Sequence, residues 1–360
     1  MTLVYINGRF LTRRLAGVDR FALETVRALD LFLKQSGRSD TSNFTLLVPP
    51  GVERIPELEH ISILQAGTRT GVLWEQFDLP ATAGKRLLVN LCNTGPIFRR
   101  NQLTVIHDVA PSRVPESYGF LFRAWYRLLI PILYRRSRSV CTVSAFSRDE
   151  LTDLHGTRGD ICVLPEGADH MGRLAADPAV LERHGLNGRP YVLAVSSLSP
   201  HKNFAAVVRA VEAMGEVDFY VVIAGGQNPR VFAGSSGDLP PSVKYVGYVS
   251  DEELKALYEN AACFVFPSIY EGYGLPPTEA MACGCPVVAA RAASIPEVCG
   301  DAAIYFDPHD PVDLARVLAS VMGDPGLRGK LREKGFARAG TMLWRNAALS
   351  LLNEIHRVAS

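Results

Sequence analysis

The sequence predicts an α/β fold in two domains, and three observations predict it. Residues 261–288 read as strand, loop, helix, strand. Cys263 to Phe266 is a short apolar run, and Pro276 and Pro277 suit a first helical turn, where a missing N–H costs nothing. Gly284 and Pro286 close that helix and Val287 begins the next strand. Near the start, residues 3–6 form an apolar run. After it come a loop with Gly17 and then Val18, Phe21, Ala22, Val26 and Leu29 at helical spacing. Finally, 360 residues is long for one core and suits two.

Composition sets the outer limits. Apolar content of 48% and charged content of 21% are those of an ordinary globular protein, and a net charge of +1 gives no general case for nucleic acid as a partner. The seven cysteines include no Cys-x-x-Cys pair, which argues against zinc and redox motifs. Cys141, Cys162 and Cys263 lie in apolar runs and are expected to be small core residues in a reducing, cytosolic setting. The start lacks a secretory pattern, and no apolar run approaches the roughly 20 residues a membrane span needs.

Taken in order, the opening strand and its Gly17 loop form the nucleotide-side unit of a Rossmann fold, without a full G-x-G-x-x-G. Further strands are expected at 44–48, 61–64 and 87–91. The last of these ends in Cys-Asn-Thr-Gly-Pro, a loop at a strand's carboxyl end, where ligands usually sit. A strand at 103–106 ends in His107-Asp108, with the histidine either facing a cleft or paired with Asp108. Residues 118–138 interleave aromatic and aliphatic residues with five arginines. The segment can rest on anionic lipid or can be a core helix with a solvated basic face, and Pro131 is expected to kink or break it. A strand at 139–143 leads to a helix whose start gains cap chemistry from Ser144 and Glu150. A strand at 161–164 precedes the linker, placed at 170–190 where glycine, proline and charge replace strand pattern.

In the second half, a strand at 191–195 leads to Lys202 at a helix opening, a natural phosphate contact. Strands follow at 219–224 and from Val243, with Ser250 and Glu253 spaced as a capping box. In the loop after Phe266, Gly272 and Gly274 let backbone approach a ligand, and helix-start N–H groups attract phosphate. Glu271 and Glu279 flank that loop and suit sugar hydroxyls. Taken alone, two such glutamates are as well a solvated loop residue and a first-turn helix charge. Strands at 287–290 and 303–306, a helix at 312–322 and an apolar-periodic tail at 342–358 complete the pattern.

The segment Glu-Gly-Tyr-Gly-Leu-Pro-Pro-Thr-Glu-Ala-Met-Ala-Cys-Gly-Cys-Pro-Val-Val, residues 271–288, resembles the paired-glutamate signature of retaining glycosyltransferases of family 4. Further similar steps are Trp-Glu-Gln at 74–76, His107, Pro165-Glu-Gly-Ala-Asp169 and Lys202, so the resemblance covers nearly the whole chain. It implies the GT-B fold, two Rossmann-like domains facing across a cleft. Residues 1–170 would be the acceptor domain, residues 171–340 the donor domain, and a helix over 341–360 would cross back to the first. The resemblance places Glu271 on the donor sugar's hydroxyls, Glu279 on the ribose, His107 beside the sugar, and the backbone near Tyr248 and Val249 close to the base. Gly17 would face the donor diphosphate, the alternative being a plain turn glycine. Lys202 and the backbone of Gly272, Tyr273, Gly274 and Leu275 would hold the same diphosphate. Many members carry an arginine where this chain has Ser197.

The implied reaction transfers a hexose from a nucleoside diphosphate sugar with retention, with His107, Glu271 and Lys202 as the catalytic set. No Asp-x-Asp pair sits at a strand end, so no metal or other cofactor is expected. Trp-Glu-Gln occurs in members that are mannosyl- or related transferases of surface polysaccharides, and Trp74 either stacks on a sugar or caps the core. The donor expected is GDP-mannose, with UDP-sugars as runner-up. The acceptor expected is a saccharide, linked to a polyprenyl diphosphate at the cytoplasmic membrane face. The other classes open to this fold are a phosphorylase, a nucleotide-sugar epimerase and an inactive partner subunit. A phosphorylase is much longer, and an inactive partner should have lost Glu271, Glu279 or Lys202.

Overall fold

Short apolar strands alternate with helices along the chain, and every strand pair is parallel. The computed structural model describes residues 3–15, 17–35, 44–195, 197, 199–226 and 240–359. They fall into two units, the first comprising Met1–Glu166 and Trp344–Ser360, the second Gly167–Leu343.

The first unit holds β1 (Val4–Asn7), β2 (Phe44–Val48), β3 (Ser62–Gln65), β4 (Leu87–Asn90), β5 (Gln102–Val105), β6 (Ser139–Thr142) and β7 (Cys162–Val163), in the order β3-β2-β1-β4-β5-β6-β7. Its five central strands are buried along their whole length, as a parallel sheet covered on both faces requires, whereas β3 is an exposed edge. Helix Gly17–Gln35 turns Phe21, Ala22, Val26, Leu29 and Leu33 inward. Helix Trp344–Ala359 packs against it, with the Trp344 and Phe21 rings 6.0 Å apart edge to face, and Glu354 accepts from Ser139 Oγ.

The second unit holds β8 (Tyr191–Val195), β9 (Tyr220–Ala224), β10 (Val243–Gly247), β11 (Cys263–Phe266), β12 (Val287–Ala290) and β13 (Ala303–Phe306), in the order β10-β9-β8-β11-β12-β13. Both sheets therefore reverse their strand order once, between β1 and β4 in the first and between β8 and β11 in the second. In open parallel sheets, ligands bind beyond the carboxyl ends of the strands at such a reversal.

Three local readings change. Helix Phe120–Arg136 runs unbroken through Pro131. Its second half is held by the buried Leu129, Ile130, Leu133 and Tyr134, which outweigh one lost backbone hydrogen bond. Ser144 caps its helix through Ser147 N at 3.0 Å, but Glu150 points away and pairs with Arg113. The second unit begins at Gly167, ahead of the stretch read as linker. Ala168 N donates to Met342 O at 2.9 Å and Asp177 N to Glu252 O at 3.0 Å, which ties that stretch down. The capping box at Ser250 and Glu253 forms in both directions.

Candidate functional site

At the β8/β11 reversal two loops meet. The loop after β8 carries Ser197, Lys202 and Asn203, and the loop after β11 carries Glu271 to Gly274. Lys202 Nζ lies 2.7 Å from Glu271 Oε1, and both side chains are largely buried. Lys202 is thus a fixed cation, not a waving surface lysine, and among the described residues its other N–H groups remain to be used.

Backbone restraints explain this precision. Asn203 sits in the left-handed region at φ 55° and ψ 33°, which asparagine tolerates better than most residues. It opens helix Phe204–Met214 but does not cap it. Its amide donates instead to Pro267 O at 3.2 Å and Pro308 O at 2.8 Å, tying its own loop to the chain beyond β11 and β13. Ile269 N donates to His201 O at 2.9 Å, so the two loops are also joined directly. From the far side, the fully buried Ser294 places Oγ 2.9 Å from Glu271 O and 2.8 Å from Tyr273 O, sharing its one proton between them. Ala293 beside it is held at φ 51°, a conformation costly for alanine.

Gly274 has φ 102°, open only to glycine in practice, and leads into helix Leu275–Ala282 with Pro276 and Pro277 in its first turn. Within that helix Glu279 is buried and accepts from His170 Nε2 at 3.1 Å. Gly272 and Tyr273 are buried in the same loop. Ser197 is exposed, its Oγ 3.3 Å from Ser199 Oγ, and Tyr248 and Val249 follow β10 at the edge of the sheet, with Tyr248 58% exposed. Asn203, Ser294 and His170 are contributors that the sequence reading missed. Asn203 was the accessible one, since an asparagine at a helix opening invites attention, but as a cap.

The remaining predicted residues belong to the first unit. Gly17 is exposed and is the first residue of its helix. A Cβ built there meets nothing within 4 Å, and its φ lies outside the left-handed range. Neither backbone geometry nor internal packing therefore demands glycine at this position. His107 is 3% exposed, its ring edge-on to Phe21. Its Nε2 is 2.8 Å from Leu91 O, which can only accept, so Nε2 carries the proton. Nδ1 is 3.6 Å from Glu166, while Asp108 instead accepts from Ala110 N. Of the two readings for Trp74 the structure selects the core: it is 1% exposed and its indole donates to Ala66 O at 2.7 Å. Its neighbours line the β1/β4 reversal. Glu75 accepts from Asn7 Nδ2 at 3.0 Å, Thr94 Oγ1 at 2.8 Å and Arg9, and Gln76 holds Gly95 O and Ile97 N at 3.0 Å each.

Comparison with known proteins bears on the family and the fold. Residues 179–338 match the family model for glycosyl transferases group 1. The O-antigen chain mannosyltransferase B of Escherichia coli is 29% identical over 262 residues, 70% of this chain and 69% of that protein. The O-antigen chain mannosyltransferase RfbU of Salmonella typhimurium is 28% identical over 230 residues, 63% of this chain and 62% of that one. Among solved structures, the sucrose-phosphate synthase of Thermosynechococcus elongatus superposes over 100% of both chains with a TM-score of 0.75 at 18% identity, a likeness of fold. The chain carries a glycosyl transferases group 1 domain at residues 179–338 and has the fold of the GT-B glycosyltransferases.

Proposed function

We propose that this protein is a retaining mannosyltransferase of family 4 that moves mannose from GDP-mannose to a saccharide carried on a polyprenyl diphosphate. The observation that carries the reading is the arrangement at the β8/β11 reversal. There a fixed ammonium, Lys202, is paired with Glu271 beside a left-handed Gly274 that opens a helix. The hard step is departure of a nucleoside diphosphate, and fixed donors aimed at the charge it gains give the largest gain in rate. Lys202 and the N–H groups of Gly274 and Leu275 supply those donors, Glu271 holds sugar hydroxyls, and Glu279, oriented by His170, holds the ribose. The bond from the anomeric carbon to the diphosphate oxygen breaks as the acceptor oxygen bonds to the same face. The acceptor proton passes to the leaving phosphate, so the balance closes without a metal.

The names of the similar O-antigen enzymes support mannose and a surface-polysaccharide acceptor. Work at the cytoplasmic membrane face finds support in helix Phe120–Arg136, whose first half exposes Phe120, Leu121, Phe122 and Leu128 among arginines. Among the described residues no helix is long and apolar enough to cross a membrane, so the contact proposed is peripheral.

The test is a transfer assay with GDP-mannose, UDP-glucose and other nucleotide sugars, with and without excess chelator. Turnover of GDP-mannose with retained anomeric configuration, unchanged by the chelator, is expected. Preference for a UDP-sugar would replace the donor, and inversion would remove the mechanism. Glu279→Ala should raise the donor KM strongly, and an unchanged KM removes its ribose role. Sedimentation with liposomes containing phosphatidylglycerol tests the membrane contact, which absence of binding would remove.

A further inference from the structure

Two arginines at the carboxyl end of the first unit's sheet are paired within that unit, with Glu75 and Asp19. Arg9 opens the turn Arg9–Thr12 that follows β1 and donates through Nη1 to Glu75. Glu75 is 1% exposed and is itself fixed by Asn7 and Thr94, so the carboxylate that aims Arg9 cannot move. Arg13 donates through Nη2 to Asp19, a buried residue in the first turn of helix Gly17–Gln35. A guanidinium has five N–H donors. One from each arginine is used here, and among the described residues the side chains make no other hydrogen bond.

A third group joins them. The Tyr126 hydroxyl lies within electrostatic reach of both Arg13 and Arg9, and burial holds it at about 12, so it is a neutral donor at working pH. Tyr126 belongs to helix Phe120–Arg136 and continues an aromatic stack, 4.3 Å from Phe122, which is 5.3 Å from Tyr118. The same half of that helix leaves Phe120 78% and Leu121 81% exposed. Two oriented guanidiniums and a phenol therefore stand at a sheet reversal, and the helix that carries the phenol bears an uncovered apolar strip. That combination suits an anion bearing a hydrocarbon chain. Planar guanidinium forks match phosphate oxygens in pairs, as a lysine does not.

We propose that Arg9, Arg13 and Tyr126 bind the diphosphate of a lipid-linked acceptor, whose hydrocarbon chain lies along the exposed apolar residues between 120 and 128. The inference rests on the mannosyltransferase reading and deepens it. The proposed donor diphosphate has its own cation and amides in the second unit, and an apolar strip that rests on a membrane is also where the hydrocarbon chain of a lipid-linked ligand would emerge.

The test measures equilibrium binding of farnesyl diphosphate, farnesol, inorganic pyrophosphate and GDP to the full chain and to Arg9→Gln, Arg13→Gln and Lys202→Gln. Loss of farnesyl diphosphate affinity of roughly tenfold or more is expected for either arginine variant. GDP affinity should stay within about twofold in those variants, and Lys202→Gln should show the opposite pattern. Pyrophosphate should compete with farnesyl diphosphate. Arg13→Gln guards against misfolding of Arg9→Gln, because the Arg13 side chain is 38% exposed and leaves Glu75 paired. The proposal is overturned if the arginine variants bind farnesyl diphosphate normally, if farnesol binds as tightly as the diphosphate, or if GDP weakens in step, which would give the arginines to the donor. Failure of wild-type protein to bind GDP would break the mannosyltransferase reading instead, and the farnesyl arm would still report on the arginines.

Discussion

The two units share a sheet order around the reversal and differ in what they place there. In the first, side chains fill the space. Asn7, Glu75, Asn90, Thr94 and Gln102 form one buried hydrogen-bonded network, with Asn7 Nδ2 3.1 Å from Asn90 Oδ1 and Asn90 Nδ2 2.9 Å from Gln102 Oε1. Gly95 lies so close to it that a Cβ would come within 2.6 Å of Asn90 Nδ2. In the second, backbone lines the space, and side chains act from behind it: Asn203, from the Lys202 loop, and Ser294 hold carbonyls of the loop that carries Glu271. A side-chain network gives a rigid wall that displays a few charges. A backbone-lined loop lets a diphosphate come within hydrogen-bond distance of several N–H groups. The contrast supports the proposed division of labour, in which one half would display cations at a fixed wall and the other would wrap a nucleotide.

Substitutions ranked by size can break or sharpen that contrast. Glu75→Ala should be the most damaging, about 3–5 kcal/mol in chemical denaturation, because it strands a partly buried guanidinium and removes the buried acceptor of Asn7 and Thr94. A loss under about 1 kcal/mol would mean the network is decoration, not wall. Next comes Lys202→Ala, expected to lower kcat about 10²–10³-fold with little change in thermal stability; near-normal turnover would place the diphosphate elsewhere. Asn203→Gly keeps the left-handed backbone and deletes two hydrogen bonds, so it should cost about 1–3 kcal/mol and raise the donor KM. Asn203→Ala should cost roughly 1–2 kcal/mol more, because alanine resists that conformation. If the two variants are equal, backbone geometry at Asn203 is irrelevant. Smallest is Ser250→Ala, about 1 kcal/mol in chemical denaturation from the lost cap; unchanged stability would mean the capping box adds nothing.

The sequence made legible whatever depends on neighbours in the chain. Strands 191–195, 263–266, 287–290 and 303–306 were read to the residue, because each is a continuous apolar run with sharp ends, the middle two buried along their whole length. Glu271 and Lys202 were visible as motif residues. Their ion pair was not, because it joins positions 69 apart. Asn203, Ser294 and His170 stayed hidden for the same reason: each acts on a partner far along the chain, and no periodicity marks such a bond. The structure also chose between readings left open. Burial takes Trp74 away from any sugar, and Pro131 was overruled by packing on its helix's inner side.

The attachment of helix Trp344–Ala359 to the first unit has a consequence for biogenesis. Ser139 and its partner Glu354 are 215 residues apart, so the first half of the protein lacks a wall until the last part has been made. At about 5–20 residues per second, a ribosome needs roughly 10–40 s to cover that interval. The second unit, contiguous in the chain, can finish while the first still waits with apolar surface uncovered. A nascent chain stalled shortly before Trp344 should therefore show a protease-resistant core from the later half and a cleavable earlier half.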